Sequence, residues 1–257
     1  MIETPRIQTA IILAAGEGSR LRTSAPYKPL CAVAGRPLIA HALEGLAEAS
    51  FVRAIVTVSY GREAIEAYLG SRRWPLAVET VLADHREPNG VSVLAARDAL
   101  AGSEAVLAMC DHLVSPELYA RMARAGAGGG LRLGIDRRLG HDWVDPEDVT
   151  CVATEGDRIV AIGKGLEPHD CYDTGVFAIG PALSDALATL ASPSLTEGVR
   201  LLAAQGLARI VDCSDIDWID VDDAPALAKA EAWMATKAAR SRPSFFAILP
   251  RQGEVAA

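Results

Sequence analysis

Uninterrupted apolar runs are the feature of this sequence that most limits its fold. Ile11–Ala15 and Ala105–Cys110 contain no polar residue, which is typical of strands covered on both faces. Amphipathic helices are predicted between such strands, at Pro37–Ala49 and Arg62–Ser71. Strands that alternate with helices predict an α/β fold with a doubly wound, mostly parallel sheet. The same series includes segments at Thr9–Leu13, Ala54–Ser59, Ala77–Leu82, Val91–Ala101 and Pro116–Ala125.

A glycine-rich break, AGAGGG at Ala125–Gly130, separates this series from a part of the chain that is richer in strands. The sequence TEGDR between two strand-like runs predicts a hairpin turn. We expect a single domain over residues 1–240, with a β-rich insertion at about 131–175. Residues 241–257 are predicted to form a C-terminal tail or linker. The segments predicted after the break are strands at Leu131–Ile135, Val149–Ala153, Arg158–Ile162, Thr174–Ile179, Ala208–Asp212 and Trp218–Val221, and helices at Pro181–Leu190, Leu195–Gln205 and Pro225–Ala239.

The composition excludes several classes of protein. The chain has 257 residues, of which 50% are hydrophobic, and a formal net charge of −8, so nucleic acid is not an expected partner. No segment approaches the roughly 20 apolar residues of a membrane span, and the start has no signal-peptide pattern. Five scattered cysteines without a C-x-x-C pair indicate reduced thiols. These features predict a cytoplasmic globular protein.

The first strand opens into a loop of glycines and cations, AAGEGSRLR…YKPL. Ligands bind at the carboxyl ends of parallel strands, so a site is expected in this loop. Gly16 and Gly18 would let backbone N–H groups approach a phosphate chain, and Arg20 and Lys28 would supply positive charge. The glycine spacing matches neither the P-loop nor G-x-G-x-x-G, and an ordinary turn between strand and helix is the alternative. The two cations favour the phosphate site.

Carboxylates follow two other strand candidates. Asp111 ends an apolar strand, where a carboxylate can hold Mg²⁺ against a triphosphate; a turn or N-cap aspartate is the structural alternative. In WIDVDDAPAL, Asp220 and Asp222 would share one face of a short strand, and Asp223 is the predicted helix N-cap. His112 is interpreted as a packing or hydrogen-bonding residue, since Mg²⁺ prefers oxygen ligands. Whether Asp222 also binds the metal stays open.

The motif LAAGEGSRLR…KPL resembles the signature of the nucleotidyltransferases that make nucleotide-activated sugars and alcohols. Further segments extend the resemblance to the CTP:inositol-1-phosphate cytidylyltransferases, and together they cover most of residues 8–235. The resemblance implies the Rossmann-like, GT-A-type nucleotidyltransferase fold with Mg²⁺ as cofactor. The segments that carry it are EPNGVSVLAAR, CDHLVSPELY, IDRRLGHDWVDPEDVTCV, GDRIVAIGKGL, YDTGVFAIGP and SLTEGV.

By this resemblance, one group of residues would bind the nucleoside triphosphate. Arg20 would contact its β- and γ-phosphates, and Lys28 would hold phosphate oxygens at the reacting centre. Asn89 and Gly90 would lie against the base. Alanine at Arg20 or Lys28 is then expected to impair use of the nucleotide more than stability. The residues that would line the nucleotide are Leu13, Ala14, Ala15, Gly16 and Gly18.

A second group would bind the acceptor and the metal. The resemblance assigns Lys164 to the acceptor's phosphate and Asp173 to its hydroxyls. Glu197 would contact the acceptor too, with an ordinary first-turn helix glutamate as the alternative. Asp111 and Asp220 match the family's two metal-binding carboxylates. The catalytic groups implied are Arg20, Lys28 and Lys164, which would act by position and charge.

The implied reaction transfers CMP from CTP to inositol-1-phosphate, a phosphorylated polyol, and releases pyrophosphate. A choline-like acceptor would need an aromatic cage, for which Tyr172 and Phe177 are the local candidates. The alternatives are another sugar-1-phosphate or phospho-alcohol nucleotidyltransferase that uses UTP, dTTP or CTP, a GT-A glycosyltransferase, and a non-catalytic module on the same fold. Many relatives continue into a membrane-embedded CDP-alcohol phosphotransferase, which implies such an enzyme as a partner.

Overall fold

The structure is a computed structural model that describes residues 7–241. Its first part alternates strands and helices, and two single-turn 3₁₀ helices, Ser19–Leu21 and Lys28–Leu30, lie between the first two strands. The elements of this part are β1 (Thr9–Leu13), β2 (Ala32–Val33), β3 (Arg36–Pro37), α1 (Leu38–Glu48), β4 (Arg53–Val58), α2 (Arg62–Gly70), β5 (Ala77–Leu82), α3 (Asn89–Ala95), α4 (Arg97–Leu100), β6 (Ala105–Met109), β7 (His112–Val114) and α5 (Pro116–Ala125).

The second part is richer in strands, as predicted after the glycine-rich break. Its elements are β8 (Leu131–Asp136), β9 (Thr150–Glu155), β10 (Arg158–Lys164), β11 (Cys171–Ile179), α6 (Pro181–Leu187), α7 (Leu195–Ala204), β12 (Ala208–Asp212), β13 (Trp218–Asp220) and α8 (Ala224–Ser241). Most of the predicted tail lies outside the described residues.

Among the described residues, nine strands form one sheet in the order β5-β4-β1-β6-β11-β8-β12-β10-β9. The strands β5, β4, β1 and β6 are parallel, and β12 is parallel to β8. The α/β class is confirmed. The β-rich part joins the same sheet through antiparallel pairs, because β11 runs antiparallel to both β6 and β8 and β10 runs antiparallel to β9 and β12. A separate antiparallel ribbon pairs β7 with β13.

The apolar core lies in two layers, one on each face of the sheet. Ile12 and Val56 belong to the layer packed by α1 and α5, and Ile11 and Ile55 belong to the layer packed by α3, α6 and α7. Neighbouring residues of a strand face opposite sides, so a strand buried on both sides must be apolar throughout. This is the reason for the uninterrupted apolar run in β1.

The boundaries of two helices differ from the predictions. Pro37 pairs with Ala32 and precedes the first residue of α1 instead of lying inside the helix. The helix predicted at Val91–Ala101 begins two residues earlier, at Asn89, and is divided into α3 and α4. The predicted N-cap of α8 is confirmed, since the Asp223 carboxylate accepts a 2.8 Å hydrogen bond from the backbone N–H of Ala226. Over residues 7–241, the structure has no helix with the length and hydropathy needed to cross a membrane.

Candidate functional site

The loops after β1 and β6 begin side by side at the carboxyl edge of the parallel strands. The backbone N–H of Cys110 donates to Leu13 at 3.1 Å, and that of Ala14 donates to the Thr57 carbonyl at 3.1 Å. The strands therefore stay paired up to the point where the glycine loop and Asp111 begin. The positions of both loops follow directly from the parallel arrangement.

Gly18 is the glycine that the loop conformation requires. Its φ is +58°, and a Cβ there would lie 2.3 Å from Cβ of Lys28. At Gly16 a Cβ would contact no protein atom within 4 Å, so the fold alone does not demand glycine at that position. The close approach at Gly18 places the Lys28 side chain directly beside the loop.

Six charged side chains form a row of ion pairs with alternating sign. Lys28 contacts both Asp111 and Asp222, and Arg20 contacts both Asp222 and Asp148. The Arg20–Asp148 distance is 2.7 Å between Nη2 and Oδ2. We call this set the charge row; its order is Asp111, Lys28, Asp222, Arg20, Asp148 and Lys164.

Asp148 is the member of the charge row that sequence reasoning missed. Its side chain is 20% exposed and accepts hydrogen bonds from both Arg20 and Lys164. Burial raises the pKa of the Asp148 carboxyl, but these two hydrogen bonds outweigh burial and lower the pKa below its ordinary value. The acidic sequence DPED at 145–148 was the available signal. This segment becomes part of the site only because it folds against β10 and the glycine loop, where Asp148 contacts Lys164 and Arg20.

His112 and Asp220 lie beside Asp111, the first member of the charge row. The β7–β13 ribbon pairs His112 with Asp220, and one ligand atom from each of the three side chains lies within 4.8 Å of the others. In the described structure, one buried carboxylate oxygen of Asp111 and one of Asp220 have no hydrogen-bond partner. Buried oxygens without a partner are costly, and a divalent cation would satisfy them. The two carboxylates therefore fit Mg²⁺, which prefers oxygen ligands.

His112 is fixed by three contacts. Its Nδ1 lies 2.8 Å from the Thr174 carbonyl, its Nε2 lies 3.5 Å from Asp220, and its ring stacks on Trp218 with 5.8 Å between centroids. Burial lowers the pKa of His112, but the charge and hydrogen bond of Asp220, with a contribution from Asp111, outweigh burial and raise the pKa to about 9. His112 thus packs and hydrogen-bonds as predicted. Its raised pKa also favours the positively charged ring beside Asp111 and Asp220.

Burial also acts on Asp173, in β11. It raises the pKa of the Asp173 carboxyl to about 6, although a hydrogen bond from the Gly175 N–H and the charge of His112 oppose the shift. Gly175 has φ +75°, and a Cβ there would lie 2.3 Å from the His112 ring. Glycine is required at that position so that β11 can pass close to His112.

Two cavities meet at the charge row. The first, which we call the loop cavity, has a volume of about 340 Å³ and lies between the glycine loop and α3. The second, which we call the acidic cavity, has a volume of about 390 Å³ and lies beneath β10, β11 and residues 143–150. Residues that line both are Arg20, Asn89, Met109, Asp111 and Asp222.

The predicted site residues divide between these cavities. The loop cavity is lined by Leu13, Ala14, Ala15, Gly16, Gly18, Arg20, Lys28 and Asn89, and the acidic cavity by Lys164, Asp173 and Asp220. Gly90 packs away from them, because a Cβ there would lie 2.5 Å from the Pro193 carbonyl oxygen. Glu197 forms a capping box with Ser194 at the start of α7. The substrate contacts predicted for Gly90 and Glu197 stay predictions.

The acidic cavity is more aromatic than the sequence indicated. Trp143 and Trp218 line it together with Phe177, whereas the local sequence offered Tyr172 and Phe177. Both tryptophans have aromatic neighbours: Trp218 stacks on His112, and Trp143 lies 5.3 Å from Trp233 between centroids. Trp143 comes from the segment before β9 and Trp218 from β13. Both tryptophans are distant from Asp173 in sequence, so the residues around Asp173 could not predict that they line the cavity.

The fold and the site define a class: a Rossmann-like α/β protein whose sheet edge gathers cations and carboxylates between two cavities. The sequence profile of the MobA-like NTP transferase domain matches residues 10–214. The chain belongs to this family.

The relatives that this chain resembles are named for different activities. The chain is 31% identical over 240 residues to the bifunctional IPC transferase and DIPP synthase of Aquifex aeolicus, covering 90% of this chain and 53% of that protein. It is 31% identical over 251 residues to the bifunctional protein GlmU of Rhodopseudomonas palustris, covering 91% and 54%. The chain thus spans about half the length of the curated relatives it matches.

A solved structure shares the fold. The inositol-1-phosphate CTP transferase from T. maritima superimposes with a TM-score of 0.80 at 24% sequence identity, covering 90% of this chain and 96% of that one. This likeness supports the described topology.

Proposed function

We propose that this chain is a Mg²⁺-dependent cytidylyltransferase that transfers CMP from CTP to inositol-1-phosphate and releases pyrophosphate. The observation that carries the proposal is the charge row, which joins the loop cavity to the acidic cavity. A reaction between two phosphorylated substrates needs cations at the point where they meet. Arg20 lies at that border, Lys28 lies on the loop-cavity side and Lys164 lies on the acidic-cavity side.

Each cavity suits one substrate. The loop cavity has backbone groups of Ala14–Gly16 and the cations Arg20 and Lys28 for a triphosphate. The acidic cavity has Lys164 for the acceptor's phosphate and Asp173 for its hydroxyl groups. In a chain with only four lysines, two of them therefore lie in the proposed machinery.

The proposed step needs no general base. A phosphate oxygen of the acceptor attacks the α-phosphorus of CTP, the bond from that phosphorus to the bridging oxygen breaks, and pyrophosphate leaves with its electron pair. Lys28, Arg20 and Lys164 hold the phosphates in line and neutralise their charge. Asp111 and Asp220 would hold Mg²⁺, which when bound supplies Lewis-acid polarisation of phosphate oxygens.

The substrates are tested by measuring pyrophosphate release from CTP, UTP, dTTP, ATP and GTP, each with inositol-1-phosphate, glucose-1-phosphate, N-acetylglucosamine-1-phosphate and phosphocholine. We expect the highest kcat/KM for CTP with inositol-1-phosphate. Preference for UTP or dTTP with a hexose-1-phosphate would replace this proposal with the second candidate, a sugar-1-phosphate nucleotidyltransferase. Phosphocholine belongs in the screen because Trp143, Trp218 and Phe177 line the acidic cavity.

The pH dependence of acceptor binding tests the role of Asp173. Its pKa is raised to about 6, and the ionised carboxylate accepts stronger hydrogen bonds from hydroxyl groups than the protonated carboxyl does. We therefore expect acceptor affinity to be highest well above pH 6 and to fall as pH drops through 6 and the carboxyl is protonated. The measurement is the KM of the acceptor between pH 5 and pH 8 under saturating CTP.

Asp173→Asn is the control for this profile, because the acceptor's own phosphate also titrates near pH 6. The variant should have a raised acceptor KM at pH 8 and keep only the pH dependence that belongs to the substrate. Identical pH profiles for the natural chain and the variant would show that Asp173 does not contact the acceptor. The CDP-alcohol phosphotransferase partner is a separate proposal.

A further inference from the structure

The β7–β13 ribbon carries one of the two proposed metal ligands, so its position relative to the main sheet matters. Asp220 ends β13, whereas Asp111 follows β6 of the nine-stranded sheet. The strands of the ribbon have three residues each, and a two-stranded ribbon so short is not stable alone. The Val221 N–H donates to the Asp111 carbonyl at 3.0 Å and holds the end of β13. The start of β13 needs an anchor of its own.

Asp136 supplies that anchor from the main sheet. It is the last residue of β8, is 1% exposed and lines neither cavity. Its Oδ2 accepts a 2.8 Å hydrogen bond from Nε1 of Trp218, the first residue of β13. Burial raises the pKa of the Asp136 carboxyl, but hydrogen bonds from Arg138 and Trp218 outweigh burial and lower the pKa below its ordinary value. The ionised carboxylate is a strong acceptor for the indole N–H.

Arg138 extends the anchor to the two residues before Trp218. Its Nη2 donates to Asp136 at 2.8 Å and also to the Ile216 carbonyl at 2.9 Å. Its Nη1 lies 3.2 Å from the Asp217 carboxylate. We call Asp136 and Arg138 the β8 clamp. The β8 clamp therefore holds three consecutive residues at the start of β13 against the main sheet.

Trp218 connects the β8 clamp to the proposed metal site. The residue is 4% exposed, and its ring stacks on His112 with 5.8 Å between centroids and 11° between planes. Nε2 of His112 lies 3.5 Å from Asp220. The indole is thus fixed at its N–H by Asp136 and on its ring face by His112. Without the first contact the ring can turn, and His112 loses the flat surface that holds it beside Asp220.

We infer that Asp136 is a positioning residue for the metal site, which acts through the Trp218 indole on His112 and Asp220. The inference rests on the proposed function for the presence of the metal. It assigns a role in the reaction to a buried carboxylate that contacts neither substrate cavity. Groups outside the ligand shell that orient a ligand commonly change metal affinity by tenfold or more.

The test is binding of Mn²⁺ in the presence of CTP, followed by electron paramagnetic resonance, for the natural chain, Asp136→Asn and Trp218→Phe. Trp218→Phe keeps an aromatic ring and the Asp136–Arg138 pair and removes only the indole N–H, so it decides the question if Asp136→Asn does not fold. We expect each variant to bind Mn²⁺ about tenfold more weakly. Raising Mg²⁺ should restore most of kcat in both, because Asp220 is displaced and not removed.

A double variant and a control separate positioning from a general loss of stability. If Asp136 acts through Trp218, the two substitutions share one effect, and the double variant should bind Mn²⁺ about tenfold more weakly instead of a hundredfold. Asp170→Asn is the matched control: the Asp170 carboxylate also pairs with an arginine, Arg137, accepts from Thr154 and lines neither cavity. It should bind Mn²⁺ as the natural chain does.

The outcomes distinguish this inference from the proposed function. Natural Mn²⁺ affinity in folded Asp136→Asn or in Trp218→Phe would overturn the role of Asp136 and leave the proposed function intact. An equal loss in Asp170→Asn, or a hundredfold loss in the double variant, would also overturn it. If the natural chain uses UTP and a hexose-1-phosphate, the proposed substrates fail, and the same comparison with UTP still tests Asp136. If the natural chain binds no Mn²⁺ with either nucleotide, both proposals fail.

Discussion

Asp111→Asn is expected to lower turnover by about a thousandfold while the chain still folds, since a metal ligand at a phosphoryl-transfer site supplies several kcal/mol of transition-state stabilisation. The fold should survive because Lys28 keeps Asp222 as an ion-pair partner when the charge of Asp111 is lost. The measurements are kcat under saturating Mg²⁺ and substrates, and the melting temperature. Binding of Mn²⁺ with the nucleotide, followed by electron paramagnetic resonance, gives a readout that does not depend on turnover.

Asp157→Asn is the matched control for this experiment. Asp157 pairs with Arg209 at 2.6 Å on the protein surface and lines neither cavity. The control loses the same single charge, so it corrects for any general effect of a less acidic chain. Near-natural turnover and Mn²⁺ binding in Asp111→Asn would show that Asp111 does not hold the metal.

Lys28→Ala is expected to abolish nearly all turnover and also to destabilise the protein, by about 2 kcal/mol at pH 7. The sequence alone predicts lost turnover with an unchanged melting temperature, because Lys28 is expected to act on the triphosphate. In the structure, however, the Lys28 side chain is only 12% exposed and is held between two carboxylates. Its removal leaves Asp111 and Asp222 close together without a cation, so the unchanged melting temperature expected from the sequence is revised.

The loss of stability in Lys28→Ala should depend on pH. Burial raises the pKa of the Asp111 carboxyl, but the charges of Lys28 and His112 and the hydrogen bond from Lys28 together outweigh burial and lower the pKa below its ordinary value. Stability from this pair is therefore present above the ordinary aspartate pKa of about 4 and is lost as pH falls through the lowered pKa. The difference in unfolding free energy between Lys28→Ala and the natural chain should shrink from pH 7 toward pH 3.

Arg20→Ala provides the comparison for Lys28→Ala. The Arg20 side chain is 52% exposed, and exposed ion pairs contribute little to stability. The Arg20→Ala variant should lose activity with almost no change in melting temperature. Equal destabilisation by both variants at all pH values would contradict the account of Lys28 as a buried cation shared by two carboxylates.

Local patterns were sufficient to predict much of the fold. The uninterrupted apolar run of β1 marks a strand covered on both faces, and its neighbours Ile11 and Ile12 do pack in opposite core layers. The antiparallel insertion of β11 between β6 and β8 could not be predicted in the same way. Strand order depends on contacts between distant segments, and a single sequence does not display those contacts.

The candidate site shows the same division. Gly18, Lys28 and Asp111 stand in motifs next to strand ends, so their neighbourhood follows from the parallel sheet. Asp148 and Trp143 come from the segment between β8 and β9, which reaches the site only by folding back over the acidic cavity. Apart from the acidic sequence DPED around Asp148, nothing in their immediate sequence distinguishes them from surface residues.

The β7–β13 ribbon has a consequence for folding. It brings Asp220 to His112, although almost half of the chain lies between them in sequence. Closing so long a loop is entropically costly and becomes favourable only when the intervening segments have already packed. We therefore expect Asp111 and Asp220 to come together late in folding. A ligand that needs both carboxylates then binds only the folded molecule and raises its resistance to unfolding. Binding of nucleotide with metal would thus report only fully folded chains. Chains in which only the parallel half of the sheet has formed would not bind.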